Sequence, residues 1–320
     1  MKSNFFDPIY RPLNKYLWDT WFIKQQNTYH AFYLQCTNNI QDPEERHNLS
    51  SIGHATSNDL IKWHEQPTAL LPTNNAWDDL CLWTGSTIKH NDLYYMFYTG
   101  RSKQTGLTQK IGFATSKNLN SWTKYHKPIL EAQNELFSIT NTSNEIGSPP
   151  AWRDPFVFKN NNKFYLILSA RIKTGTIYNA CLAIFESNNL IEWKKPKVLL
   201  DLGLFDEMET PQIIKQDDYY YLLFSCKKEK CHPSIQKKAH SALYCFRSKN
   251  IYGPYEKTTS TGAIINYKSA MYNVRLLQKK ENLYWAIGFL QNDKNNRFIG
   301  GISQPFRVRL PVEQIINIVV

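Results

Sequence analysis

The chain repeats itself, and the repeat limits what it can fold into more than any other feature. One element is a run rich in Tyr and Phe. It appears as Thr28-Tyr29-His30-Ala31-Phe32-Tyr33-Leu34, then as Leu93-Tyr94-Tyr95-Met96-Phe97-Tyr98 and Lys163-Phe164-Tyr165-Leu166-Ile167-Leu168. It returns as Tyr219-Tyr220-Tyr221-Leu222-Leu223-Phe224 and Leu283-Tyr284-Trp285-Ala286-Ile287-Gly288. Copies two to four follow Asn or Asp clusters (Asn91-Asp92, Asn160 to Asn162, Asp217-Asp218). Such clusters read as hairpin turns entering strands.

A second element follows most copies. Ile52-Gly53-His54-Ala55-Thr56-Ser57-Asn58-Asp59-Leu60 leads to Trp63, Ile111 to Leu119 leads to Trp122, and Leu182 to Leu190 leads to Trp193. A degenerate fourth copy, Leu243 to Ser248, ends near Tyr255. The period is roughly 60–70 residues, the size of one four-stranded blade with its loops. No long helical pattern, linker or composition break interrupts the copies. The expectation is an all-β chain, with residues 1–320 forming a single five-bladed β-propeller. A β-sandwich or two stacked β-domains is the alternative. In a propeller the innermost strand of each blade lines a central channel, so distant segments meet there.

Three acidic motifs lie in separate blades: Trp18-Asp19-Thr20-Trp21, Trp152-Arg153-Asp154-Pro155 and Glu207-Met208-Glu209-Thr210-Pro211. Carboxylates beside aromatic residues suit glycosidic-bond chemistry, because carboxylates attack or protonate the bond and ring faces stack on sugars. Asp19 suits a nucleophile and Glu209 an acid/base. Met208 and Pro211 are expected to desolvate Glu209 and raise its pKa. Glu207 lies on the same face of an extended segment and is the nearest decoy. Pro155 is expected to bias Asp154 toward extended backbone. Arg153 is expected to pair with Asp154 or another carboxylate and keep it ionised.

The ordered motifs resemble glycoside hydrolase families 32 and 68, the β-fructosidases and levansucrases. Trp18-Asp19-Thr20-Trp21 is similar to the levansucrase nucleophile motif. Ile52 to Ser57 resembles the Gly-His-Ala-x-Ser segment of invertases, Trp83-Thr84-Gly85-Ser86 their Trp-Ser-Gly-Ser motif, and Arg153-Asp154-Pro155 the Arg-Asp-Pro motif of both families. Glu209-Thr210-Pro211 matches the acid/base glutamate with proline two residues on. The chain departs in lacking an Asn-Asp-Pro-Asn start and in carrying Thr210 where family 68 has arginine. Family 43, with arabinanases and xylosidases, shares an Arg-Asp-Pro-like segment.

The resemblance implies catalytic Asp19, Asp154 and Glu209, with Asp154 gripping sugar hydroxyls. Trp18, Trp83, Ser86, Arg153 and Arg275 are expected around the substrate, with Ser86 bonded to the nucleophile. The implied reaction is retaining cleavage or transfer of a fructoside, sucrose or a fructan, with no cofactor and no metal. An inverting family 43-like pentosidase and a non-catalytic glycan-binding propeller are the competing readings. Trp63, Trp122 and Trp193 recur at one position of the repeat, and His54 lies inside its second element; all four are expected in the core.

Charge and cysteines set the remaining bounds. The net charge is +11, with short lysine runs such as Lys227-Lys228-Glu229-Lys230. No nucleic-acid fingerprint accompanies them, so neither a nucleic-acid nor a membrane partner is expected. Met1 to Arg11 has no apolar core of signal-peptide length. The six cysteines form no close metal-ligand pair. A reducing, cytoplasmic setting is expected, with signal-independent export as the alternative.

Overall fold

The computed structural model describes residues 7–132, 135–138, 150–173, 176–267 and 270–318. Met1 to Phe6 of the segment read for a leader lie outside the described residues.

Among the described residues, five sheets, antiparallel but for one strand pair, follow one another along the chain. Blade one holds Lys15–Gln25, Thr28–Thr37, Ser51–Ser57 and His64–Leu70. Blade two holds Cys81–His90, Leu93–Arg101 and Gln109–Ser116, whose outer edge takes Thr123–Lys124 and Leu130–Glu131. Blade three is Trp152–Asn160, Lys163–Arg171, Ala180–Ser187 and Lys197–Asp201. Blade four is Glu209–Gln216, Tyr219–Cys226, Ala242–Ser248 and Ala263–Asn266, with Glu256–Lys257 on its third strand and Ile316–Asn317 parallel to its fourth. Blade five is Met271–Lys280, Leu283–Leu290 and Phe306–Arg309. The first strands of successive blades contact each other in order, and that of blade five contacts that of blade one. The sheets therefore close into a propeller.

The second repeated element is a turn with a mechanism. Ser57, Ser116 and Ser187 each accept, at the hydroxyl, the backbone N–H of the residue three on, at 2.9, 2.9 and 3.0 Å. Asp59, Asn118 and Asn189 accept the next two free N–H groups. These side-chain bonds replace the ladder where it ends and hold Leu60, Leu119 and Leu190 at φ 65°, 65° and 67°. The tryptophan that follows then packs inward. Trp122 meets Phe32 of the preceding blade edge-on at 5.6 Å, and Trp193 meets Phe97 at 5.9 Å. These repeated aromatics join blade to blade, as the repeat predicts.

His54 sits in the core of blade one. Its ring stacks on Phe32 at 4.6 Å and on His30 at 5.1 Å, and His30 Nδ1 lies 2.9 Å from His54 Nε2. Burial, and then the neighbouring His30, push His54 down to about 3. Unfolding releases it to an ordinary value near 6.5, so the unfolded chain takes up a proton that the folded chain refuses. Stability from this site is complete above about pH 6.5 and is lost as pH falls toward 3. Phe113 and Ile184 stand at the matching positions. Relative to the native protein, His54→Phe is expected to gain about 2 kcal/mol between pH 7 and pH 5. Urea unfolding at the two pH values measures this, and an unchanged difference would contradict it.

The ring closes at a seam beside blade one. Gly301 N–H donates to the Leu17 carbonyl at 2.8 Å, Leu290 N–H to Gly301 at 2.8 Å, and Ile302 N–H to Tyr10 at 2.8 Å. Gly300 and Gly301 take φ of 67° and 107°, and a Cβ on Gly300 would lie 2.6 Å from the Leu17 oxygen. Only glycine allows that approach.

Candidate active site

Each innermost strand breaks register near its start. The breaks fall between Trp18 and Trp21, Trp83 and Gly85, Arg153 and Phe156, Glu209 and Gln212, and Tyr272 and Arg275. These are bulges, which re-aim side chains. The bulged residues are Asp19, Thr84, Asp154, Thr210 and Asn273, and four of them have positive φ: 47° for Asp19, 61° for Asp154, 50° for Thr210 and 47° for Asn273. Asp and Asn tolerate the left-handed region through their short polar side chains. Asp154 is therefore not extended, as its following proline suggests; the bulge overrides that bias. Thr210 is β-branched and strained there, at a cost of about 1–3 kcal/mol. It is held by its N–H donating to Asp154 Oδ2 at 2.9 Å and by Arg275 Nη1 donating to its carbonyl at 2.9 Å.

The residue before each bulge completes a second ring: Trp18, Trp83, Arg153, Glu209 and Tyr272. All five line one cavity of about 430 Å³, together with Asp19, Thr84, Asp154 and Thr210. Glu209 is thus not at the position of Asp19 and Asp154 but one residue earlier. The three acids still face the same space, as the separated motifs predict.

Asp19 Oδ2 accepts the Thr84 hydroxyl at 2.9 Å. Ser86, expected in that role, instead accepts the Val157 N–H at 2.9 Å and ties blade two to blade three. Side chains alternate along a strand, and the bulge at Thr84 gives that residue the channel-facing place. Glu209 Oε1 accepts Arg153 Nη2 at 2.9 Å, and its Oε2 accepts the Tyr272 hydroxyl at 2.7 Å. Glu207 Oε1 lies 3.7 Å from Arg153 and 3.9 Å from Lys230, on the same side as Glu209. Asp154 Oδ2 also accepts Ser169 Oγ at 3.3 Å and lies 3.9 Å from Arg153 Nε. Arg153 is thus shared among three carboxylates.

The remaining predicted residues divide. Trp18 and Trp83 line the cavity. One face of Trp83 is covered by Arg101 at 4.6 Å, and its Nε1 donates to the His47 carbonyl at 2.7 Å. Arg275 does not line the cavity. It donates to the carbonyls of Thr210 and Pro211, at 2.9 and 2.8 Å, and braces the strand that carries Glu209. Sequence reasoning missed Tyr272, although the signal was present: it precedes Asn273 as Glu209 precedes Thr210. It also missed the short turn Pro43–Asn48, which brings Arg46 and His47 to the rim.

Electrostatics separate the two principal acids. Burial, then the charges of Asp154 and Glu209, push Asp19 up to about 7. Burial alone raises Glu209, as its apolar neighbours suggest. The Arg153 guanidinium and the hydrogen bonds of Arg153 and Tyr272 outweigh that and hold it below the ordinary value. Burial raises Asp154 against Arg153, and burial with Glu209 raises Glu207. Between the low value of Glu209 and about pH 7, the two acids hold one proton between them, and the resting form carries it on Asp19. Chemistry that needs one acid and one base runs in that window.

The sequence of these blades as a whole decides the family. Residues 14–305 match the glycosyl hydrolases family 32 N-terminal domain. The chain belongs to family 32. Among family relatives, it is 25% identical to the sucrose-6-phosphate hydrolase of Escherichia coli over 217 residues, which cover 64% of this chain and 39% of that protein. It is 28% identical to the fructan beta-fructosidase of Streptococcus mutans over 158 residues, 47% of this chain and 9% of that one. The chain thus spans well under half the length of these curated relatives. In fold it is similar to the inulosucrase from Halalkalicoccus jeotgali bound to kestose, with a TM-score of 0.79, 19% identity, and coverage of 93% of this chain and 86% of that one. This structural likeness confirms the five-bladed propeller.

Proposed function

We propose that this family 32 domain cleaves a β-fructofuranosyl bond, in sucrose or a short fructan, with retention of configuration. The observation that carries the reading is the pair of rings, which turn Asp19, Asp154 and Glu209 into one cavity. The reacting form is the one in which the proton on Asp19 has passed to Glu209: ionised Asp19 attacks the anomeric carbon and forms a glycosyl ester, while Glu209 protonates the departing oxygen. Glu209 then takes a proton from water, or from an acceptor sugar, which releases the fructosyl group from Asp19. Asp154, fixed by Thr210 and Ser169, grips ring hydroxyls as the oxocarbenium charge develops. Arg153 and Tyr272 stabilise Glu209 as the anion that remains after protonation of the leaving group.

The product anomer, followed by NMR during turnover of sucrose and levan oligosaccharides, tests this. Retained configuration is expected. Inverted product, or turnover of arabinan and aryl-xylosides alone, would overturn it. A phosphorylated disaccharide is the second reading. Arg46, Arg101, Lys227 and Lys230 stand around the cavity and favour an anionic leaving group, and the Escherichia coli relative is named for such a sugar. Comparing kcat/KM for sucrose with and without a phosphate decides between them.

The shared proton gives two pH predictions. The kcat/KM profile should fall on its alkaline side with an apparent pKa of about 7, that of Asp19. The Thr84 hydroxyl lowers Asp19, so Thr84→Val should move this limb to higher pH. Tyr272 lowers Glu209, so Tyr272→Phe should move the acid limb to higher pH. An alkaline limb that stays in place in the Thr84 variant would remove Asp19 from the assignment.

A further inference from the structure

Beside the cavity, blade four holds two thiols that the reaction does not use. Cys226 ends the second strand, and Cys231 follows the single turn Lys228–Lys230. Both are fully buried. Their sulfurs converge on one oxygen: Cys226 Sγ lies 3.3 Å and Cys231 Sγ 3.6 Å from the Lys227 carbonyl. The Tyr244 hydroxyl lies 3.7 Å from Cys231 Sγ.

The segment between them belongs to the catalytic cavity. Lys227 and Lys230 both line it. Lys230 Nζ bonds Asp206 at 3.0 Å and lies 3.9 Å from Glu207. Its carbonyl accepts the Asp206 N–H at 2.8 Å, and Cys231 bridges Phe205. On the other side, Ser225, next to Cys226, is the register partner of Glu209. The dithiol thus pins both ends of the turn that faces the Glu207–Glu209 pair.

We propose that Cys226 and Cys231 form a reversible oxidation site, where a hydroperoxide closes a disulfide that switches off the adjoining cavity. The switching half rests on the reading of Glu209 as the acid/base. Cys231 is the attacking sulfur: it lies against the Tyr244 hydroxyl, and the neighbouring Cys226 thiol, then that hydroxyl, hold it below the ordinary thiol value against burial. Its thiolate attacks one oxygen of hydrogen peroxide, the O–O bond breaks, and a sulfenic acid and hydroxide result; the hydroxide takes up the proton that the Cys231 thiol had released and leaves as water. The Cys226 sulfur then attacks the Cys231 sulfur, the S–O bond breaks, and the hydroxyl leaves with the Cys226 proton as a second water. Two thiols lose two electrons to one peroxide, and a dithiol reductant reverses the change. A water-sized oxidant suits thiols this well screened.

A disulfide is about 2.05 Å long, so two sulfurs that now share the Lys227 carbonyl must draw together to bonding distance. That shortens the Lys227–Lys230 turn and strips the Lys227 carbonyl of its two S–H donors. Both lysines shift against Glu207 and Glu209. Misplacement on the order of 1 Å at a reacting centre costs on the order of 10²-fold in rate.

The test treats the full chain with hydrogen peroxide, alkylates the remaining thiols and maps peptides by mass spectrometry. Activity on the fructoside panel is measured before oxidation, after it, and after dithiothreitol. A Cys226–Cys231 cross-link is expected, with kcat/KM falling 10- to 100-fold and recovering on reduction. Cys231→Ser and Cys226→Ser should each keep their activity through the same treatment. Full alkylation of both thiols after peroxide would overturn the site. A cross-link that leaves kcat/KM within twofold, or equal losses in the serine variants, would overturn the switch. Peptide mapping needs no substrate, so a chain that forms the cross-link but turns over no fructoside would fail the proposed function and not the oxidation site. In that case carbodiimide labelling of the cavity carboxylates reads the switch. A severalfold change in rate is expected on oxidation, and no change would overturn it.

Discussion

Asp19→Asn should abolish turnover while the protein stays folded. An amide cannot supply the attacking oxygen, and no neighbour can replace it, because Glu209 is tied to Arg153 and Tyr272. The fold should survive because Asn accepts φ near 47° as readily as Asp, and its carbonyl oxygen still accepts the Thr84 hydroxyl. The expected loss in kcat exceeds about 10⁴-fold, more than the ~10²–10⁴-fold that positioned acid–base catalysis supplies. Glu209→Gln should fall within that smaller range. Added azide should partly rescue a Glu209→Ala variant, since a nucleophile that needs no deprotonation bypasses the second half-reaction. Near-normal rates for the Asp19 variant, with unchanged circular dichroism, would remove Asp19 as nucleophile.

Arg153→Met should damage stability and rate together. The guanidinium is buried and is the cation shared by Asp154, Glu207 and Glu209. Removing it leaves the buried Asp154 and the partly buried Glu207 and Glu209 to repel one another, and breaking a buried pairing typically costs about 3–5 kcal/mol. The acids should relieve this by taking up protons. Glu209 should therefore rise from its depressed value, and the acid limb of kcat/KM should move to higher pH. Lysine is a poor substitute, since one ammonium cannot span three carboxylates as a planar guanidinium does. Urea unfolding and the pH profile of Arg153→Met and Arg153→Lys check both parts. A loss of stability below about 1 kcal/mol would show that the pairing offsets little of the acids' burial.

The repeats made the fold legible because each carries its own chemistry. A serine with an Asp or Asn two residues on defines the turn, and the tryptophan after it defines the blade contact. These signals are local, so a linear reading finds them. The site was legible in its acids and less so in their partners. Ser86 looked right by motif, but a single bulge hands the contact to Thr84. Bulges shift register without changing composition, and nothing in a strand's pattern announces them. The pKa of Glu209 failed for another reason. Its apolar neighbours in sequence were visible, but Arg153 and Tyr272 come from two other blades. Charge from distant segments outweighed the burial that nearby residues imply. Arg275, expected around the substrate, acts one layer behind the channel.

The seam has a consequence for how the protein fails. Leu17, whose carbonyl takes the Gly301 N–H, stands two residues from Asp19. The closing bonds join segments almost the whole chain apart, so once lost they are slow to find each other again. Local opening there would swing Asp19 away from Glu209 while the other four sheets stay paired. Heat should therefore silence this protein before it melts it. Amide exchange at Gly301 and Ile302 should be faster than in the strand Lys163–Arg171, at temperatures where bulk circular dichroism is still native.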